Sequence, residues 1–348
     1  MRPLKKIVFL LDEFALQTPG QQLLDRFLIG YPRNGVWHRD AQWRITVCTP
    51  PGAGDELLER RVRDFSLVRA SDPAQAVASA DAVVIAPGGQ GETANETLIQ
   101  LALEHAPRGC PCFVYGLLGN SVASAGATLH RAEARGVPLA AGTWLPVTWR
   151  LPEVDVPHGA ALKEALVVVQ GPLPLAAMQG VELLHALTWN RQTAGAKAIR
   201  IEPMSGAEVW AEGRKGTWSW PLLAAAIARS NSPQGDVLKD GRTQDLVGRG
   251  LVEALARSPH GWTFQHSDGL RSTLLVLDGV IADYNFAVQP QRGAIISAQL
   301  YRAPAPSEHH YSRLTAVMED FFRTGESPWP LARSHATAMT VAMMRNRT

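Results

Sequence analysis

The first 140 residues alternate between short apolar runs and stretches with helical spacing, and this alternation constrains the fold more than any other feature. Residues 7–11 and Ala82–Ala86 are continuous apolar runs of strand length, typical of strands buried on both faces of a parallel sheet. Thr18 and Pro19 resemble a helix N-cap followed by proline at the first helical position. The sequence therefore predicts a Rossmann-like α/β domain, a parallel sheet with helices on both faces.

The pattern changes near residue 150. Several longer strands follow one another too closely for helical crossovers, at 260–266, 272–277, 280–288 and 294–301. They predict a C-terminal α+β domain with a largely antiparallel open sheet, one face of which is open to solvent or to a partner. We expect a Rossmann-like domain at 1–145 and the α+β domain at 146–348, with the final helix either there or packed back on the first domain.

Composition excludes several classes of protein. The 348 residues carry a formal net charge of +2 without a basic stripe, so nucleic acid is not an expected partner. No apolar stretch approaches the roughly 18 residues of a membrane span, and Asp12 and Glu13 end the first apolar run too early for a secretory signal. Adjacent His309 and His310 lack metal-ligand spacing, and no metal site is predicted. We expect a cytoplasmic protein.

Three stretches carry a resemblance to a known family. Residues 80–86 with the following 95–105, then 135–142, then 321–328, are similar to the fourth strand and next helix, the last Rossmann strand, and the C-terminal helix of the Gfo/Idh/MocA oxidoreductases. The resemblance spans most of the chain. It implies an enzyme that uses NAD or NADP on a sugar or polyol derivative in an interdomain cleft, and a homo-oligomer formed through the C-terminal sheet.

The chain departs from that family where the dinucleotide would bind. The family has a glycine-rich turn after strand one, where backbone approaches a pyrophosphate, but residues 12–20 (DEFALQTPG) hold one glycine and two carboxylates. Residues 49–51 (TPP) replace the acidic residue after strand two, and 115–119 (YGLLG) replace the stretch with the catalytic lysine. The sequence therefore predicts a degraded or atypical dinucleotide site.

Glu182 is the candidate catalytic residue. If Gly180 is placed on the family's glycine, the family's Asp and His positions fall near Met178 and Glu182. A buried carboxylate there would be a general base. The alternative is a structural carboxylate that is solvated or paired with an arginine.

Trp144, Trp149 and Arg150 are candidate substrate-binding residues, because aromatic walls and a guanidinium suit a sugar-like or carboxylated ligand. The alternative is that the tryptophans lock the two domains together.

Gly88, Gly89 and Gly91 are candidate cofactor-binding residues, because their backbone N–H groups would meet an anion. The alternative is a plain flexible loop.

Three functions stay open at this point. The first, towards which the sequence leans, is an oxidoreductase of the Gfo/Idh/MocA type. The second is a non-catalytic accessory protein that binds a partner on the same fold. The third is a cofactor-free lyase or isomerase that uses Glu182.

Overall fold

The computed structural model describes residues 4–50, 52, 55–87, 89, 91, 93–195, 198–235 and 241–346. Residue contacts divide the chain into two compact units, unit 1 (Met1–Val147 and Ala303–Ala342) and unit 2 (Thr148–Arg302 and Met343–Thr348). Within the described ranges, no helix is both long and apolar enough to cross a membrane.

The helices and strands are labelled in chain order. They are β1 (Lys5–Leu11), α1 (Pro19–Ile29), β2 (Tyr31–Arg33), β3 (Val36–His38), β4 (Trp43–Cys48), α2 (Asp55–Phe65), β5 (Val68–Arg69), α3 (Pro73–Ala78), β6 (Ala82–Ala86), α4 (Glu96–His105), β7 (Cys112–Tyr115), α5 (Val122–Arg135), β8 (Leu139–Gly142), β9 (Arg150–Leu151), β10 (Leu162–Val169), α6 (Leu173–Thr188), β11 (Ala198–Ser205), α7 (Ala207–Lys215), α8 (Trp220–Ile227), α9 (Leu251–Leu255), β12 (His260–His266), β13 (Arg271–Val276), β14 (Tyr284–Pro290), β15 (Ile296–Leu300), α10 (His310–Thr324) and α11 (Leu331–Arg345).

Unit 1 is built on a parallel sheet in the order β5-β4-β1-β6-β7-β8. Counted along the chain, this is the 3-2-1-4-5-6 order of the doubly wound dinucleotide-binding fold. The apolar runs predicted as strands form its centre, and β1 and β6 pair from Ile7 with Ala82 to Leu11 with Ala86. The predicted Rossmann-like sheet is confirmed.

The returning segment that contains α10 packs on α1 within unit 1. Arg26, which is buried, donates from its guanidinium to the carbonyl oxygens of Ser307 (2.9 Å) and Glu308 (2.8 Å). The Tyr31 hydroxyl donates to the buried Glu319 carboxylate at 2.7 Å. Because buried polar groups need partners, these bonds tie the segment to α1 and to the β2–β3 hairpin.

Unit 2 is built on a seven-stranded mixed sheet in the order β11-β12-β13-β10-β14-β15-β9. Every pair is antiparallel except β10 with β13, which is parallel. The predicted largely antiparallel open sheet is confirmed, and β12 has the predicted bounds.

Both faces of this sheet are covered over its central strands. Helix α6 packs on β10 and β13, and α8 packs on β10, β14 and β15. Side chains alternate between the two faces of the strands, so one set of them packs in a core with α7 and α8. This core includes Leu166, Val168, Trp210, Trp218, Leu222, Leu223, Leu275, Leu277 and Ala287. The apolar helix α8 therefore covers the central strands on the face that was expected to be open to solvent or to a partner.

Candidate functional site

An open cavity of about 420 Å³ lies at the carboxyl ends of β1 and β6. The strand order reverses between these two strands, and such switch points are where ligands bind in doubly wound sheets. The lining residues come from three loops that follow β1, β6 and β7, and they are Asp12, Pro87, Gly89, Gly91, Thr93, Ala94, Asn95, Glu96, Thr97 and Asn120.

Hydrogen bonds between these loops give the cavity a fixed wall. The Asn95 side chain donates to the Asp12 carboxylate at 3.0 Å, and its oxygen accepts from the Leu98 N–H, which caps α4. The Asn120 amide exchanges two bonds of 2.8 Å with the backbone of Ala94. The loops after β1, β6 and β7 are therefore held together by side chains that also line the cavity.

Two of the three glycines predicted to bind the cofactor line this cavity. Gly89 is exposed in the loop, whereas Gly91 is buried and has a φ of +89°. A β-carbon on Gly91 would stand 3.0 Å from the Tyr115 ring, so both the positive φ and this tight contact favour glycine there. Gly88 lies outside the described residues. An anion-binding role for these glycines stays a prediction.

The cavity is acidic. Asp12 and Glu96 line it, and among the lining residues of the described chain there is no lysine or arginine. Residues 87–97 contain no basic residue at all, and Glu92 adds a third acidic group to this part of the sequence. Although partial burial raises the pKa of Glu96, hydrogen bonds from Asn120 and Ser124 bring it below its usual value, so Glu96 is ionised at neutral pH.

Sequence reasoning missed Asp12, Asn95 and Asn120 as a group. Asp12 directly follows β1, Asn95 is the N-cap of α4, and Asn120 precedes the N-cap of α5, and these positions were the available signal. Elsewhere in the described ranges, no cluster of three or more histidine, cysteine or acidic side chains is arranged to hold a metal.

No protein-family model matches the chain, and no curated protein matches it. Solved structures match over nearly the full length. Myo-inositol dehydrogenase from Lactobacillus casei, in complex with NAD(H) and myo-inositol, has a TM-score of 0.62 at 14% identity and covers 99% of this chain and 94% of its own. UDP-N-acetylglucosamine 3-dehydrogenase from Acidithiobacillus ferrooxidans has a TM-score of 0.59 at 11% identity, covering 100% and 98%.

A third match is GenD2 from gentamicin A biosynthesis in complex with NAD, with a TM-score of 0.62 at 13% identity, covering 100% of this chain and 95% of its own. The chain has the fold of the Gfo/Idh/MocA-type oxidoreductases. The predicted resemblance is confirmed at the level of fold, and several proteins of this fold bind a nicotinamide cofactor.

The turn between β1 and α1, where a Gfo/Idh/MocA-type dehydrogenase has its glycine-rich loop, holds a buried side chain and a helix cap in place of glycines. Phe14 is fully buried in the turn. The Thr18 hydroxyl accepts from the Gln21 N–H at 3.4 Å, and Pro19 has no N–H to offer. Anion binding at a helix N-terminus needs free N–H groups, and at this one Pro19 has none and the Gln21 N–H bonds to the Thr18 cap.

The stretch that replaces the Gfo/Idh/MocA lysine is apolar and buried. Leu117 is 2% exposed and Leu118 is 0% exposed. The following Gly119 packs so tightly that a β-carbon there would lie 2.4 Å from the Ala125 nitrogen. This loop therefore contributes hydrophobic core to unit 1 and no cationic side chain for the reacting centre.

Glu182 lies in α6 and is 4% exposed, while Met178 is 1% exposed. A β-carbon on Gly180 would come within 2.2 Å of the Leu274 side chain, which places that side of α6 against β13. At 100° per residue, Glu182 points to the opposite side of the helix from Gly180. Its assignment as a general base stays a prediction.

The three predicted substrate-binding residues are divided between the two units. Trp144, in unit 1, is buried and packs on the His310 ring at 4.3 Å. In unit 2, Trp149 is 37% exposed and its ring lies roughly perpendicular to the Tyr301 ring. Arg150 forms an ion pair with Asp155, and burial lowers the pKa of its guanidinium. Arg150 therefore already has a carboxylate partner, and its role towards substrate stays a prediction.

Proposed function

We propose that the protein acts on a sugar or polyol derivative and that its dinucleotide site is degraded, so that α1 does not hold the pyrophosphate of NAD or NADP. The observation that carries this proposal is the closed N-terminus of α1, capped by Thr18 and begun by Pro19. The sugar-like substrate is supported by the solved structures of the same fold, among them a myo-inositol dehydrogenase and a UDP-N-acetylglucosamine 3-dehydrogenase.

The chemistry of the cavity agrees with both parts of the proposal. Hydroxyl groups of a polyol bond well to carboxylate and amide side chains, of which Asp12, Asn95 and Glu96 are examples. A pyrophosphate requires cations or free N–H groups, whereas residues 12–20 of the β1–α1 turn hold no lysine or arginine, Pro19 has no N–H, and the Gln21 N–H is capped. With Leu117 and Leu118 in place of the lysine stretch, hydride transfer also lacks its usual polarising side chain.

A thermal-shift measurement separates the two parts. A ligand at 100 times its dissociation constant stabilises the folded state by roughly 2.7 kcal/mol. We expect no rise in Tm with millimolar NAD or NADP and a rise with at least one of myo-inositol, glucosamine and N-acetylglucosamine. A dinucleotide shift that the Thr18→Ala variant alters would show that α1 does hold the cofactor and would contradict the proposal.

A second candidate, a cofactor-free lyase or isomerase, is favoured by the burial of Glu182, because a buried carboxylate can be tuned as a base. Such an enzyme would remove a proton from a carbon next to a carbonyl of the bound sugar and return it to the same or a neighbouring carbon. In D₂O, the wild type would then exchange that hydrogen for deuterium, as seen by NMR. Glu182→Gln should abolish the exchange without weakening ligand binding, and an unchanged rate would exclude Glu182 as the base.

The accessory alternative has less support, because α8 covers the central strands on the face of the unit 2 sheet that was expected to bind a partner. No other feature of the described residues favours an accessory role over the two enzymatic functions above.

A further inference from the structure

We infer that unit 2 binds one alkali cation, K⁺ or Na⁺, beside the buried carboxylate of Asp283. Two side-chain oxygens near this carboxylate, Asn285 Oδ1 and Gln299 Oε1, are buried and accept no hydrogen bond from the described residues. All three residues belong to unit 2, whereas the cavity at the ends of β1 and β6 is lined by residues of unit 1. The inference therefore does not depend on the proposed function.

Asp283, which directly precedes β14, is 6% exposed and accepts several hydrogen bonds. One carboxylate oxygen accepts from the Ser230 hydroxyl and the Asn231 N–H, both at 2.9 Å. The same oxygen accepts from the Gln299 amide at 3.1 Å, and the other accepts from the Asn285 amide. Every one of these donors is neutral, so the hydrogen bonds hold the carboxylate in place without balancing its charge.

The negative charge of Asp283 has no ion-pair partner in the described part of the chain. Arg229 is close along the chain, but it is exposed and donates from Nε to the Ser297 hydroxyl at 3.0 Å instead. Buried charges in proteins are normally paired or coordinate a metal ion. Asp283 therefore lacks the compensating charge that its burial requires.

Helix α8 adds to the negative potential around Asp283. Ser230 and Asn231, which donate to the carboxylate, follow soon after the end of α8 at Ile227. The C-terminal end of a helix is equivalent to roughly −0.5 elementary charge, which stabilises cations and disfavours anions. A carboxylate at this end of a helix gains no compensation from the helix, so the local field favours a bound cation.

The hydrogen bonds to Asp283 fix which way the two amides point. An ionised carboxylate only accepts, so the NH₂ groups of Asn285 and Gln299 must face it, and oxygen cannot be exchanged for nitrogen in either amide. The two residues are directly opposed on β14 and β15, which places their β-carbons about 4.5–5.5 Å apart on one face of the sheet. Asn285 is 0% and Gln299 is 5% exposed, so bulk water does not supply the missing donors.

The ligand set suits an alkali cation better than the alternatives. Zinc prefers nitrogen and sulfur ligands, whereas the two amides and Asp283 offer oxygen. One carboxylate balances a single positive charge, and Ca²⁺ or Mg²⁺ would leave a positive excess in a buried place. A water molecule would satisfy the two amide oxygens but would leave the charge of Asp283 unbalanced. A monovalent cation does both.

Thermal unfolding of the full chain in different salts tests the inference. The salts are KCl, NaCl and N-methyl-D-glucamine chloride at one ionic strength, the last having a cation too large for a buried site. We expect Tm to rise by about 2 °C or more for each tenfold increase in K⁺ or Na⁺ above its Kd, because a ligand of the folded state stabilises it by mass action. Equal Tm values in all three salts would mean that water meets the amide oxygens and would overturn the inference.

Variants locate the effect at Asp283. Asp283→Asn removes the charge that the cation balances and should abolish the difference in Tm between the salts. Glu208→Gln is the matched control, because it removes the same charge from an exposed position in α7 of the same unit, and it should keep the wild-type difference. A difference that both variants lose would reflect overall charge and would overturn the inference.

Two further measurements apply if Asp283→Asn does not fold. Gln299→Met keeps a side chain of similar length without the oxygen, and it should require at least tenfold more K⁺ or Na⁺ for the same rise in Tm. Sodium NMR of the wild type, with thallium NMR for Tl⁺ in place of K⁺, needs no variant. We expect extra linewidth that KCl removes and N-methyl-D-glucamine chloride does not, and its absence for both ions would overturn the inference.

Discussion

Gly116 lies so close to Gly91 that a β-carbon on Gly116 would stand 2.4 Å from the Gly91 carbonyl oxygen. Gly116 follows β7 and Gly91 lies in the loop after β6, so this approach joins two loops that carry cavity residues. Both glycines have positive φ angles, +102° for Gly116 and +89° for Gly91, which side chains disfavour. The shape of the cavity wall therefore depends on two residues without side chains.

Gly116→Ala should lower the free energy of unfolding by about 2–4 kcal/mol, because it combines a disfavoured φ with a clash against backbone. Gly126→Ala is the matched control, since Gly126 lies inside α5 with open space around it. That change should stabilise by about 0.5–1 kcal/mol, the helix propensity difference between the two residues. Thermal or urea unfolding measures both, and effects of the same sign would contradict the packing argument.

Thr18→Ala should destabilise by about 1 kcal/mol, because it removes the side-chain cap of α1. A threonine outside a capping position, such as exposed Thr97, should change stability by no more than about 0.5 kcal/mol when replaced by alanine. Thermal unfolding of both variants checks the difference. If Thr18→Ala were neutral, the cap would not be satisfying the helix end, and the argument for a closed α1 terminus would weaken.

Leu275→Ala should destabilise unit 2 by about 2–5 kcal/mol, since Leu275 is fully buried between the sheet and α7–α8. Ile199→Ala, at a residue that is 70% exposed on β11, should change stability by no more than about 0.5 kcal/mol. Size-exclusion chromatography with light scattering should show the same oligomeric state for wild type and both variants. A changed state without loss of stability in Leu275→Ala would mean that this face contacts another copy.

Asp268 and Arg191 give unit 2 a pH-dependent contribution to stability. Partial burial raises the pKa of Asp268, but the Arg191 guanidinium, 2.6 Å away, brings that pKa below its usual value. A lowered folded pKa stabilises at pH values above the unfolded pKa, near 3.9, and the stabilisation is lost as pH falls below it. The Tm difference between wild type and Asp268→Asn should therefore be constant from pH 7 to 5 and narrow towards pH 3. A difference that does not change with pH would exclude the ion pair as its cause.

The sheet of unit 1 was predictable because its strands are continuous apolar runs. Successive side chains of a strand point to opposite faces, so a run that contains Ile7 or Val84 must be buried on both faces of the sheet. The hairpin of β2 and β3 was missed, since its strands are three residues long and Trp37 is 64% exposed. In unit 2, buried and exposed residues do not alternate clearly along β11, so the sequence does not predict this strand. The packing of the following helices on the sheet was therefore not predicted either.

The candidate site was less predictable than the fold. Absence of the glycine turn was visible in sequence, but the capping of α1 by Thr18 depends on backbone geometry. Asp12, Asn95 and Asn120 are far apart along the chain and meet only because three parallel strands end at one edge. Glu182 and Arg150 were chosen by position in the chain, and their surroundings depend on tertiary packing that periodicity does not encode.

The return of Ala303–Ala342 to unit 1 has a consequence for the order in which the protein can mature on the ribosome. Arg26 meets the Ser307 carbonyl 281 residues later, and Tyr31 meets Glu319 288 residues later. At roughly 5–20 residues per second, those partners emerge on the order of 15–55 s after α1. During that interval Thr148–Arg302, the main part of unit 2, is synthesised while the Arg26 guanidinium and the Tyr31 phenol stay in water, so unit 2 can form its core before unit 1 does.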